Sequence, residues 1–204
     1  RQNLLGKKRD HFIAQLKESF NILRGHKRLA FLILFSQFLM SFTTTIFFYL
    51  QNYMKADGYN EAFIGGVYAI SSLGGAILAT QVFKIEAIIK EKGILLLMPI
   101  VTTLGTWGIA LSQYHYAFYI PISLAEGMIF IAIGDYINKV IPSENRATIL
   151  SMARMIFSFF MITLFPLIGW LGDRYTLKGA FLFMAILGAV LTGINTAVIS
   201  SRKI

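Results

Sequence analysis

The chain has 204 residues, a formal net charge of +9 and no cysteine, and it is 56% hydrophobic against 14% charged. A water-facing surface does not tolerate that composition, so a soluble globular domain is excluded, as are disulfides, thiol catalysis and cysteine-ligated metals. No nucleic-acid-binding motif accompanies the positive charge, whose placement fits anionic lipid rather than nucleic acid.

Residues 1–28 are polar and basic, with Phe12, Ile13, Leu16, Phe20 and Leu23 at helical spacing. This predicts a linker containing an amphipathic helix at the membrane surface. Arg1 follows no initiating methionine and begins no signal peptide, so it is expected to be an internal point of a longer protein. Residues 29–204 are read as the membrane domain. Six apolar stretches follow at 29–52, 61–83, 93–112, 116–138, 147–171 and 178–200, each near the roughly 20 residues that a helix needs to cross a bilayer. Runs such as Phe31-Leu32-Ile33-Leu34-Phe35 lack the alternation of a membrane barrel strand. The expected class is an all-α membrane protein, a six-transmembrane-helix bundle.

Of the 19 basic residues, only Lys55, Arg174 and Lys178 fall in the connectors on the far side from the first residue, and Arg154 falls within a span. All others share the side of the amino terminus. Because cytoplasmic segments retain positive charge during insertion, both ends of the chain are expected to be cytoplasmic, in a cell (inner or plasma) membrane.

Polar side chains at membrane depth are costly and mark candidate sites. In the fourth span Tyr119, Ser123, Glu126 and Phe130 follow at steps of four, three and four, forming one stripe. The first span presents Gln37, Ser41, Thr44, Thr45 and Phe48. Such stripes either line a pathway or hold helices together. Glu126 lies about 18 Å from the basic end and Arg154 about 12 Å, so an ion pair between them is open, with Asp135 as the rival partner of Arg154. Asp135 sits nine residues from Glu126, about half a turn around the helix, so only one of these acids faces a central cavity. In the second span Gly65/Ala69 and Gly75/Ala79 are small pairs that predict burial against neighbours.

No phosphate-cradling loop, zinc-protease motif or nucleophile elbow occurs, so no enzyme is expected. His11, His26 and His115 fall far apart, and each is expected to be a solvated loop or interface residue rather than a metal ligand. No cofactor or metal is expected. Without an ATP site, any transport draws on a gradient.

The stretch 136–151 (YINKVIPSENRATILS), the following span, and Gly169-Trp170-Leu171-Gly172-Asp173 resemble the major facilitator superfamily, specifically its carboxy-terminal half. Asp57-Gly58-Tyr59 with Ile64-Gly65-Gly66, and Arg146-Ala147-Thr148, are similar to connectors of that half. The resemblance implies that the six spans are helices seven to twelve, with an amino-terminal six-helix half as missing partner. It also implies alternating-access transport of a small-molecule substrate; the mid-span depth and stripe position of Glu126 make it the expected proton-coupling residue. The aromatic first span and the connector before Arg146 are similar to drug-efflux members, which implies export of hydrophobic compounds; sugars and peptides stay open. In the family the first and fourth helices of a half line the cavity, which supports Gln37, Thr44 and Glu126. Its loop between the second and third helices usually carries an acid where Gln81 stands here, so Lys84 and Lys92, with Arg146, are the remaining gating-connector candidates. The alternative readings are a stand-alone membrane scaffold and a homodimeric transporter.

Overall fold

The computed structural model describes residues 21, 24–141 and 146–201; Phe12, Ile13, Leu16, Phe20 and Leu23, which carry the expected amphipathic helix, lie outside them. The described residues form six helices: α1 (Lys27–Ala56), α2 (Glu61–Thr80), α3 (Val82–Leu111), α4 (His115–Val140), α5 (Arg146–Arg174) and α6 (Leu177–Ser201). All six are long and apolar enough to span a membrane. The helices end where the backbone changes hand or polarity. Gly58 takes φ +88° after α1, a conformation that a β-carbon disfavours, and Asn60 caps α2 by accepting from the Phe63 amide at 2.8 Å. Pro99, Pro121 and Pro166 lie inside α3, α4 and α5.

The connector expected between the second and third spans is helical. α3 starts at Val82, which is fully buried, and Ile85 and Ile89 pack on the same core, so this short run behaves as an amphipathic helix before the membrane crossing begins. The backbone breaks at Lys90 (φ 62°, ψ 172°), a region that is nearly glycine-only and costs on the order of 1–3 kcal/mol. Two neighbours hold the break. A β-carbon on Gly93 would meet Ile89 Cβ at 2.7 Å, and one Arg28 nitrogen reaches both Glu91 oxygens at 2.7 and 2.6 Å.

The core divides along the bundle axis. Towards the end bearing most of the lysines and arginines, here the basic end, Leu29, Ile33, Ile94, Ile133 and Ile199 pack together; towards the other end Phe42, Ile46, Ile122, Phe181 and Met184 do so. α3 packs chiefly on α4 and α6, α1 on α5 and α4, and α2 on α4. The burial expected for the second span is restricted to one narrow seam: only Ile64, Ser71 and Gly75 of α2 are buried, while Gly65 and Gly66 face open space. At that seam a β-carbon on Gly127 would lie 2.7 Å from Gly75 O, so the backbones meet because neither position carries a side chain.

Candidate functional site

Glu126 stands near the middle of α4, half-buried, eleven residues from the helix start at His115. Its Oε1 accepts from Thr43 Oγ1 on α1 at 2.8 Å. One turn away, Ser123 Oγ donates to Ser71 O on α2 at 3.1 Å. These two bonds tie α1, α4 and α2 together around an open cleft of about 420 Å3 whose wall includes Ser72, Ala76, Ser123, Glu126 and Phe130.

A second cleft of about 320 Å3 lies on the basic side, lined by Gln37, Asn138, Leu150 and Arg154 from α1, α4 and α5. Met40 and Phe130 line both clefts, so the two are neighbours along the α1–α4 seam. Of the stripes expected from the sequence, Gln37 and Phe130 thus meet in one cleft, and Ser123, Glu126 and Phe130 in the other. Thr44, half-buried, lines neither. Ser41 and Thr45 are buried and donate to carbonyls of their own helix, Phe38 O and Ser41 O, a local use of hydroxyls common in membrane helices. Tyr119 is buried against Tyr68, with ring centroids 4.8 Å apart, and Phe48 is half-exposed against Phe165.

The open ion pair resolves differently from either option. Among the described residues Glu126 has no cation: Arg154 is exposed, and Asp135 pairs with Lys139 at 2.5 Å one turn along α4. Arg154 lines the neighbouring cleft on the basic side, with Gln37 and Met40, rather than the cleft that holds Glu126. Of the gating-connector candidates, Lys84 and Lys92 are exposed, and Arg146, also exposed, donates to Asn138 O at 3.4 Å. The Arg28–Glu91 pair ties α1 to α3 at this end, a contact between positions 63 residues apart that spacing alone does not reveal.

The solvated setting expected for His115 is overturned. Its side chain is fully buried, stacked on Tyr53 at 4.2 Å, with Nδ1 3.5 Å from Asp57 Oδ2. The imidazole is apolar on its faces, so the aromatic packing of α1 against the start of α4 encloses it. Among the described residues no group of three His, Asp or Glu is placed to hold a metal.

The sequence profile of the Major Facilitator Superfamily matches residues 3–156. The chain belongs to the major facilitator superfamily. It is also similar to the uncharacterized MFS-type transporter YxaM of Bacillus subtilis, 22% identical over 179 residues that cover 84% of this chain and 44% of that relative. No solved structure matches it. The chain therefore spans less than half the length of the curated relative. Its six membrane-length helices without strands among the described residues fit a half-domain of the superfamily fold. Superfamily membership makes the chain part of a secondary-transport family and points to a transporter rather than an enzyme. Thr43 was not among the residues expected from the sequence, and the signal that would have found it is the run Thr43-Thr44-Thr45, three hydroxyls covering most of a turn.

Proposed function

We propose that this superfamily member forms half of a proton-coupled secondary transporter that exports a small, hydrophobic solute across the plasma membrane by alternating access, with its basic end in the cytoplasm. The observation that carries the reading is Glu126: a carboxyl at mid-membrane, on the wall of an open cleft, held by one threonine hydroxyl and by no described cation. A carboxylate is costly in hydrocarbon and tolerated beside water, so opening and closing the cleft couples to its taking up and releasing a proton. Gln37, Ser123 and Phe130 complete a surface of a few hydrogen-bonding groups on an apolar wall, which suits a mainly apolar solute.

Two features support a second six-helix half as partner. The matched relative is more than twice as long as the segment it shares with this chain, and α2 and α5 leave most of their surface uncovered by the other four helices. Rocking of one bundle against another would then open the clefts alternately to the two sides.

The test is uphill export of a hydrophobic dye such as ethidium by the complete protein in cells with an imposed proton gradient. Glu126→Gln keeps size and hydrogen bonding but removes the titrating group. It is expected to lower gradient-driven export at least about tenfold, which is roughly 1.4 kcal/mol of coupling, while dye binding persists. Unchanged export in Glu126→Gln would remove the coupling role.

A further inference from the structure

A cavity of about 560 Å3 lies between α1, α3 and α6, away from both clefts that flank the α1–α4 seam, within the roughly 300–1,000 Å3 of ligand sites. α5 closes one flank, where Phe160 meets Phe38 edge-on at 5.3 Å.

The α1 wall is one stripe, Phe31, Leu34, Phe35, Phe38 and Phe42, at helical spacing. Leu191, Ile194 and Val198 of α6 face it. Leu34 and Ile194 are each about half exposed, at 50% and 54%, so the cavity opens sideways to what surrounds the bundle, which for a membrane-spanning helix is hydrocarbon. Its polar groups are turned inward. The Thr103 and Thr192 hydroxyls bond each other at 2.8 Å, and Asn195 gives its amide to Leu95 O at 2.9 Å. The Asn195 carbonyl oxygen has no described partner, but it is sealed from the cavity. A polar solute would find almost nothing to bond.

The same α1 stripe is headed one turn earlier by Lys27, and Arg24 lies three residues before that. Both are exposed and have no described acidic partner, whereas neighbouring Arg28 is held by Glu91. The site thus joins an apolar slot at acyl-chain depth to two cations at the level of the headgroups.

We propose that this crevice is a binding site for an anionic phospholipid of the leaflet at the basic end, with one acyl chain along the phenylalanine stripe and its phosphate held by Lys27 and Arg24. The pairing of a buried chain with basic residues at the surface gives the site both its grip and its headgroup preference.

The test uses the complete protein reconstituted in vesicles, with Trp107→Phe and Trp170→Phe and a reporter at Phe35→Trp. Acyl-brominated phosphatidylglycerol is expected to quench that tryptophan about twofold more than acyl-brominated phosphatidylcholine, reflecting attraction of anionic lipid to the two cations. Lys27→Ala with Arg24→Ala should abolish the difference. A reporter at Leu104→Trp, exposed on α3, should show no headgroup preference. Equal quenching by the two lipids at position 35 overturns the proposal. So does weaker quenching at 35 than at 104, which would mean that a solute or protein segment fills the slot. If the tryptophan variants do not fold, native mass spectrometry of the unaltered protein decides: preferential retention of the anionic lipid, lost on replacing Lys27 and Arg24, is expected, and equal retention of both lipids overturns the site.

Discussion

α3 and α5 are nearly equal in length, at 30 and 29 residues, and both are apolar enough to cross a membrane, yet α3 buries eleven residues and α5 four. Apolarity therefore does not distinguish them. In a bilayer the tails are as apolar as leucine, so a helix gains little by hiding leucine from lipid, and close packing follows from small residues instead. α3 carries Gly105 and Gly108, where a β-carbon would meet the Ile122 and Phe118 side chains at 2.5 and 2.0 Å. α5 approaches its neighbour closely at Gly169, against the Tyr49 hydroxyl. The surface that α2 and α5 leave bare is where the proposed partner bundle would sit.

That contrast can be broken most sharply at the α2–α4 seam. Gly127→Val would drive a side chain into the Gly75 backbone, which has no rotamer to yield, and is expected to cost about 3 kcal/mol, seen as a lower melting temperature and loss of monodisperse protein in detergent. Ile162→Ala on the bare face of α5, 75% exposed, should stay within about 0.5 kcal/mol in the same assay.

A smaller effect is expected across the α1–α4 seam. Thr43→Val removes the bond to Glu126 and should cost about 1 kcal/mol, while Thr44→Val should cost little. Equal costs would mean that the two hydroxyls are interchangeable and that the seam is less specific than the 2.8 Å contact indicates. Lys90→Gly is expected to stabilise by about 1 kcal/mol by relieving the backbone at φ 62°. Arg28→Ala, which breaks a partly exposed pair, should cost under about 1 kcal/mol, with the loss shrinking further at high salt.

The six helices were legible because each apolar stretch approaches the length of a bilayer crossing. Other features depended on contacts between distant parts of the chain. Val82, Ile85 and Ile89 are too few to announce a helix beside the lysines around them, but the core they reach gives that run its structure. His115 looked solvated because it follows a short polar turn, whereas the neighbouring Tyr53 comes from another helix. Arg154 and Glu126 line neighbouring clefts rather than one, a separation that counting residues along two different helices does not supply. Glu126 itself was legible, because an acid in the middle of a span stands out against its surroundings; which hydroxyl holds it was not.

In the proposed transporter the bare side of the α2–α4 seam is a water-accessible route to Glu126, unlike the equally apolar outer face of α3. The chain has no cysteine of its own, so single substitutions report cleanly. The most direct measurement is the reaction rate of a charged, membrane-impermeant methanethiosulfonate with Ala76→Cys, on the cleft wall beside Glu126, compared with Leu104→Cys, exposed on α3. Labelling at position 76 is expected to be at least about tenfold faster, because the charged reagent avoids hydrocarbon, and to change further when the proton gradient is imposed. Equally slow labelling at both positions would place the seam in lipid and contradict the proposed path.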